Sequence, residues 1–228
     1  MIKFDHIIHY VNQLDEVRDK APLPIHTGGV HTRLGTENLL SYLDTRYIEY
    51  ISIKDEKLFI DHVREAEDSF AKAIYKTNYT NDFIRYALAV DDIIMLRDRY
   101  KAQGYETLGP LYMERETDGE TLRWTLLYIM HEKIMFPFFI QWEEPESKRI
   151  ERIKGFGVDM KPAKVIIRQE VEDVAEWRAF FDVIGVWQGE IDNNTTVALT
   201  EGKSPAISVE MDVTGKSGKY MGADYKFI

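Results

Sequence analysis

The chain has 228 residues, 44% of them hydrophobic, which is enough to bury a substantial core. Its formal net charge of −10 at pH 7 argues against a general nucleic-acid surface, and the absence of cysteine excludes disulfides, thiolate metal ligands and cysteine nucleophiles. The longest apolar run, near residues 134–140, is too short to cross a bilayer, and the N-terminus does not resemble a signal peptide. We therefore expect a soluble, cytoplasmic protein with neither nucleic-acid nor membrane partners.

One pattern occurs three times along the chain: a short apolar strand, a polar break and a helical stretch. Each unit is longer than a solenoid repeat of roughly 20–50 residues, so we interpret it as a β-α-β-β-β module. The patterns begin at residues 4–14, 83–93 and 163–173, and the modules close on apolar strands at 47–51, 138–142 and 206–210.

In the first module, residues 17–20 predict a short helix with Asp15 as its cap, and residues 39–43 and 47–53 alternate like strands. Residues 55–76 follow, where apolar side chains recur at near-helical spacing among charges. This spacing predicts an amphipathic connecting helix that packs over the sheet.

In the second module, residues 93–103 have a helical spacing that ends at Gly104, and Asp118-Gly119 predicts a hairpin turn. In the third, residues 171–184 predict a helix. The charged segment 143–162, which contains two glycines and two prolines, is interpreted as the main boundary of the chain.

The predicted fold is α+β, with repeated β-α-β-β-β modules forming a cupped mixed sheet and a third, degenerate module at the C-terminus. The predicted domains are residues 1–145 and 163–228. The first comprises modules 1–54 and 80–145, joined by a helical connection at 55–79.

Short motifs add a family resemblance across residues 1–145. The motifs are Phe4-Asp-His6, Gly28-Gly29-Val-His31, Gly35-Thr36-Glu-Asn38-Leu and Tyr47-Ile-Glu49, then Gly109-Pro110, Arg115, Asp118-Gly119, Leu122-Arg-Trp124 and Pro137-Phe-Phe-Ile-Gln-Trp142. With them, this part of the chain resembles the glyoxalase-like domain branch of the vicinal oxygen chelate superfamily, which includes glyoxalase I, extradiol dioxygenases and fosfomycin- or bleomycin-resistance proteins.

The resemblance implies a site in a cup of curved sheets, with one ligand from the first strand and one from the last strand of each module. These positions fall on His6, Glu49, Arg85 and Gln141, and strand alternation favours an inward side chain at each. Arg85 departs from the pattern, because a guanidinium only donates hydrogen bonds and repels a divalent ion. Only His6, Glu49 and Gln141 would remain as metal ligands, so we expect no metal and no other cofactor.

His6 and Glu49 are the candidate catalytic residues, since an acid/base pair inside a cup can move a proton. The alternative is that His6 only satisfies a buried hydrogen bond, with Glu49 or with a backbone carbonyl. Arg85 is either a clamp for an anion or the partner of Glu49 in an internal salt bridge. The remaining candidates for substrate binding are Gln141, His31, Asn38, Arg115 and Trp124.

Two functions follow from this interpretation. The first is a lyase or isomerase acting on a small oxygenated, anionic metabolite. The second is a non-catalytic protein that binds or sequesters a small molecule, as the resistance members of the superfamily do. Because members often pair modules across chains, we also expect a homodimer.

Overall fold

The structure is a computed structural model that describes residues 1–32, 34–65, 70–117 and 120–228. Two mixed sheets with six helices around them confirm the predicted α+β class within these residues. In the described part of the chain, no helix is long and apolar enough to cross a membrane.

The first sheet contains eight strands, contributed equally by the first two modules. Their order is β2-β3-β4-β1-β5-β8-β7-β6, and the predicted turn at Asp118-Gly119 lies outside the described residues. The strands are β1 Ile2–Tyr10, β2 His26–His31, β3 Thr36–Tyr42, β4 Tyr47–Ile53, β5 Asp82–Val90, β6 Thr107–Thr117, β7 Glu120–Ile129 and β8 Phe138–Trp142.

The pairing at the centre of this sheet relates the two modules. Strands β1 and β5 run antiparallel, with His6 opposite Ala87 and Ile8 opposite Arg85. On the outer sides of this pair, β4 runs parallel to β1 and β8 runs parallel to β5. The edge strands β2 and β6 contact each other, so the sheet curls around a concave space. We call this space the cup.

The second sheet contains six strands of the third module and the C-terminus, in the order β10-β11-β9-β12-β14-β13. A shared hydrophobic cluster joins it to the convex face of the first sheet. The chosen domain boundaries at 145 and 163 stay a prediction. The strands are β9 Val165–Val171, β10 Glu190–Asp192, β11 Thr195–Glu201, β12 Ala206–Met211, β13 Gly218–Tyr220 and β14 Ala223–Phe227.

The helices correct two expectations. They are α1 Asp15–Lys20, α2 Glu56–Glu65, α3 Phe70–Lys76, α4 Ile93–Ala102, α5 Glu146–Gly155 and α6 Val174–Val183. The predicted connection contains α2 and α3, with residues 66–69 between them outside the described residues, and Asp15 is the first residue of α1 rather than its cap. The presumed linker at 143–162 contains α5. Because this segment is highly charged, its helical spacing of apolar residues was not recognised, although it buries Ile153.

A second hydrophobic cluster lies on the concave face of the first sheet. Phe59, Val63 and Ile74 from α2 and α3 belong to it, together with Ile8 and Ile51 from the strands. The connecting helices therefore bury their apolar side chains inside the curl of the sheet, and the open part of the cup is small.

Candidate active site in the cup

The cup contains a cavity of about 70 Å³, which we call the cup cavity. The structure brings six of the eight predicted site residues to its lining. They are His6, His31, Asn38, Glu49, Arg115 and Trp124.

The orientation of His6 is fixed by Asp5, a residue that sequence reasoning did not select. A register shift between Phe4 and His6 interrupts the regular pairing of β1 with β5 at this residue. The buried Asp5 carboxylate accepts three hydrogen bonds, from His6 Nδ1 at 2.7 Å, Trp142 Nε1 at 2.9 Å and Arg149 Nη1 at 2.8 Å. Because Nδ1 is engaged, Nε2 is the atom that His6 presents to Glu49.

The charge of Asp5 follows from these contacts. Burial opposes ionisation, but the Arg149 charge and the hydrogen bonds from His6 and Trp142 outweigh it, so the pKa of Asp5 lies well below its usual value. Asp5 is therefore a carboxylate at every physiological pH, and His6 Nδ1 must carry the proton that they share.

Glu49 faces the two histidines across the cup cavity. Its Oε2 lies 3.6 Å from His6 Nε2, and its Oε1 lies 3.9 Å from His31 Nε2. Asn38 Nδ2 donates a hydrogen bond to Oε1 of Glu49. Each carboxylate oxygen of Glu49 therefore lies within 4 Å of an imidazole nitrogen.

The Gly28-Gly29 motif explains how Asn38 is held. Gly29 N–H donates to Asn38 Oδ1 at 2.7 Å, which turns the amide nitrogen toward Glu49. A Cβ at Gly28 would lie 2.0 Å from Asn38 Oδ1, and one at Gly29 would lie 2.8 Å from Arg115 Cδ. Only glycine at both positions leaves room for the two side chains.

His31 is held in its neutral form. Its Nδ1 lies 2.9 Å from Thr36 Oγ1. Burial lowers the pKa of His31, and although Glu49 opposes this effect, Arg115 and His6 add to it. A neutral imidazole beside Glu49 can hydrogen-bond a ligand without neutralising the carboxylate.

Aromatic side chains enclose His6 on two sides. Tyr47 stacks on its ring at a centroid distance of 4.7 Å, and Phe138 meets it edge-on at 5.6 Å. Burial, with the negative charges of Asp5 and Glu49, raises the pKa of Tyr47 well above its usual value. Trp124 and Trp142, 5.6 Å apart, form another side of the cavity.

Helix α5 and the residue that follows it close the cup cavity with Arg149, Arg152 and Phe156, which the sequence analysis missed. The Arg149 guanidinium lies 4.7 Å from the Trp142 ring and also donates to the Thr45 carbonyl. The spacing of residues 149, 152, 153 and 156 is helical and was the signal available in the sequence.

The three arginines of the cup cavity are not equivalent. Arg149 pairs with Asp5, and Arg152 pairs with Glu144. No carboxylate of the described residues pairs with Arg115, whose Nη1 donates to Asn38 Oδ1 at 3.3 Å and whose buried Nε has no partner among those residues. Arg115 is consequently the guanidinium with donors left for a ligand.

Two predicted site residues lie elsewhere. Arg85 lines a different cavity, where its Nε donates to the Phe136 carbonyl and its guanidinium lies 5.0 Å from the Tyr128 ring. Gln141 faces away from the cup, because its Oε1 accepts from Ile93 N–H at 2.8 Å at the start of α4. On β8 it is Phe138, Ile140 and Trp142 that line the cup cavity, so the predicted facing of Gln141 is wrong by one residue.

A profile of the family described as "Glyoxalase-like domain" matches residues 4–179. The chain belongs to the glyoxalase-like domain family. The predicted membership in the glyoxalase-like branch of the vicinal oxygen chelate superfamily is confirmed.

One solved structure matches this glyoxalase-like protein over its whole length. A hypothetical protein from Staphylococcus aureus is 26% identical, with a TM-score of 0.86, and the match covers 100% of this chain and 99% of that one. Methylmalonyl-CoA epimerase from Mycobacterium tuberculosis is 12% identical, with a TM-score of 0.38 over 64% of this chain and 90% of that one. No curated protein matches significantly.

The donor set of this glyoxalase-like protein does not fit a metal shared between both modules. His6, His31 and Glu49 all come from the first module, whereas the second contributes Ala87 opposite His6 and the apolar side chains of Phe138 and Ile140. Among the described residues, no group of three or more histidine, aspartate or glutamate side chains is arranged to hold a metal ion.

Proposed function

We propose that this protein is an acid–base enzyme, an isomerase or lyase, that acts on a small carboxylate bearing a neighbouring carbonyl or hydroxyl group. The observation that carries the proposal is the 3.6 Å approach of His6 Nε2 to Glu49 Oε2 in the cup cavity. Each of the two side chains is oriented by a further residue, Asp5 for His6 and Asn38 for Glu49. Oriented pairs of this kind are what general acid–base catalysis requires.

Each residue has a distinct role in the proposed reaction. Arg115 binds the substrate carboxylate, because its spare donors match a planar oxyanion. Glu49 removes a proton from the carbon beside the carbonyl or hydroxyl group. His6 then takes this proton from Glu49 Oε2 at its Nε2 and returns it to the substrate, and the Asp5 carboxylate stabilises the positive charge that the ring carries in between.

We propose that this chemistry proceeds without a resident metal. The support is the donor set, in which the second module offers apolar side chains where the superfamily pattern requires ligands. In place of a metal, Arg115 and the neutral His31 would stabilise negative charge that develops on the substrate oxygen.

The alternative is a protein that sequesters a small aromatic or carboxylate compound. The aromatic side chains that line the cup cavity favour it, since Tyr47, Trp124, Phe138 and Trp142 offer flat surfaces to a ligand. Turnover of the bound compound separates the two functions. Formation of a homodimer stays a prediction in both cases.

The binding part of the proposal is tested by calorimetry with small 2-oxo and 2-hydroxy carboxylates, with and without a chelator. We expect binding to the wild type that the chelator leaves unchanged, weaker binding to Arg115→Lys and the weakest to Arg115→Ala, because lysine keeps the charge but loses the planar fork. Arg123→Ala is the matched control on the neighbouring strand, where Arg123 is exposed and pairs with Glu114. Equal binding by all four proteins would exclude Arg115 as the clamp.

A further inference from the structure

A further cavity lies where elements of both sheets meet, and we call it the second cavity. It measures about 540 Å³ and is lined by α3, β5, residues 131–137, β9, the start of α6 and β12. Small-molecule sites in proteins have volumes of roughly 300–1,000 Å³, and the second cavity falls within that range. It shares none of its lining residues with the cup cavity.

The buried part of the lining is apolar and includes aromatic rings. Phe83 comes from the first sheet and Trp177 from α6 of the third module, and both are at most 5% exposed. Aromatic rings on both sides of a cavity offer flat surfaces to the ring of a ligand. The other apolar side chains of the lining are Ile84, Ile134, Met135, Pro137, Val171 and Ile207.

The charged residues of the lining balance one another. Three are cations and three are carboxylates, so their summed charge favours neither an anion nor a cation. They are Lys76, Arg85 and Lys133, and Asp82, Glu172 and Asp173. An ionised ligand would therefore gain no net attraction to offset the loss of its hydration.

One polar side chain of the buried lining has an unused acceptor. Gln169 is 4% exposed and lies on the same face of β9 as Ile167 and Val171. Its Nε2 donates to the backbone carbonyls of Glu170 at 3.2 Å and Ala206 at 3.3 Å, which occupies both of its hydrogens and leaves Oε1 as the acceptor.

The Gln169 Oε1 atom is open to the second cavity. It accepts no hydrogen bond from any described residue. Nor is it among the buried polar atoms of the described residues that are sealed from solvent without a partner. Since Gln169 lines the second cavity, a ligand there can reach this oxygen.

We propose that the second cavity binds a neutral aromatic compound that carries an N–H or O–H donor. Its ring contacts Phe83 and Trp177, and its donor meets Gln169 Oε1. A ligand of the same shape without a donor would bind less tightly, because it would leave this oxygen unpaired and away from water. The site is separate from the cup cavity and does not depend on the function proposed for the cup.

The experiment is calorimetry with indole and with benzofuran, which has the same shape but lacks the N–H group. We expect one indole per chain, bound at least about fivefold more tightly than benzofuran because of its hydrogen bond to Gln169. Indole-3-carboxylate and tryptamine, an anion and a cation built on the same ring, should both bind more weakly than indole.

Two variants and a control assign the binding to the second cavity. Gln169→Met keeps the length of the side chain but removes the acceptor, so indole and benzofuran should bind equally well. Ala206→Trp, at an exposed position in the lining, should block both compounds, and it reports on the cavity even if Gln169→Met does not fold. Gln13→Met, which changes an exposed glutamine outside the lining, should bind like the wild type.

Four results would overturn the proposal. They are the absence of saturable indole binding, binding of benzofuran or a charged analogue as tight as that of indole, a preference for indole that persists in Gln169→Met, and indole binding that survives Ala206→Trp. The last result would place the compound elsewhere, for example among the aromatic rings of the cup. Each of them leaves the binding of short carboxylates in the cup untouched.

Discussion

The Asp5 carboxylate lies in an apolar surrounding with a histidine, a tryptophan and an arginine as its three donors. A charge in such a place is tolerated because Arg149 compensates it, and removing one member of a buried pair costs about 3–5 kcal/mol. Asp5 therefore both orients His6 and attaches α5 to the cup.

The first prediction concerns this residue. Asp5→Asn keeps the volume but leaves Arg149 buried without a counter-ion, so the free energy of unfolding should fall by about 3–5 kcal/mol. Glu146→Gln is the control, because it neutralises a carboxylate in the exposed pair with Lys3, with side chains 44% and 62% accessible, and should cost under about 1 kcal/mol. Urea denaturation measures both. Equal losses would contradict the role assigned to Asp5.

The second prediction uses the glycine beside Asn38. Gly28→Ala places a methyl group 2.0 Å from Asn38 Oδ1 and 2.7 Å from the Asn38 carbonyl oxygen, so Asn38 must move away from Glu49. We expect a loss of about 1–3 kcal/mol in stability and weaker carboxylate binding. Gly155→Ala, in helix α5 with open space around it, should leave binding unchanged and should not lower stability. Unchanged binding in Gly28→Ala would show that Asn38 does not organise the site.

At the scale of elements, β8 directs Phe138, Ile140 and Trp142 into the cup and Gln141 to the opposite face. Gln141 accepts from Ile93 N–H and so caps α4, whose other cap is Asp92, which accepts from Met95 N–H. Two helix-terminal N–H groups that would otherwise lack partners are satisfied in this way.

The third prediction separates capping from substrate binding. Gln141→Ala should lower the free energy of unfolding by about 1 kcal/mol and leave carboxylate binding unchanged. Asp92→Ala should behave in the same way, because it removes the other cap of the same helix. If Gln141→Ala impaired binding while Asp92→Ala did not, Gln141 would belong to the site.

Strand alternation predicted much of the site and failed at identifiable places. It placed His6 and Glu49 inward, and the motifs found Asn38, because β4 pairs regularly with β1 and with β3 near these residues. It could not predict the bulge that brings Asp5 to His6, since a bulge depends on the partner strand. The prediction that Gln141 points into the cup was wrong because a shift of one residue along a strand moves every side chain to the opposite face. Helix α5 was missed because its charge resembled that of a linker.

At the scale of the molecule, His9 joins the two sheets. Its Nε2–H donates to the Met221 carbonyl at 3.0 Å, so its Nδ1 is the acceptor for the Tyr225 hydroxyl at 2.7 Å. Burial lowers the pKa of His9 from 6.5 to about 4, although the bond to Met221 opposes the shift. The folded protein therefore keeps His9 neutral at pH values at which the unfolded chain protonates it.

The fourth prediction follows from this difference. Between pH 6.5 and about 4 the unfolded state binds more protons, so the free energy of unfolding should fall as the pH drops through that window, by about 3 kcal/mol in total from His9. Below about pH 4 the contribution of His9 no longer changes. Denaturation of the wild type and of His9→Gln across this range measures the effect, with the exposed His131→Gln as control. A wild-type slope retained in His9→Gln would contradict the assignment.

The central claim is that Glu49 and His6 move a proton of a bound carboxylate, and hydrogen–deuterium exchange at carbon tests it most directly. Ligands that bind the cup are incubated with the protein in D₂O, and the NMR signal of the proton beside the carbonyl or hydroxyl group is followed. We predict exchange at least about 10²-fold faster than in buffer, and a loss of that acceleration in Glu49→Gln with binding retained. A ligand that binds the wild type without exchange, or that exchanges equally fast in Glu49→Gln, would contradict the account and favour sequestration.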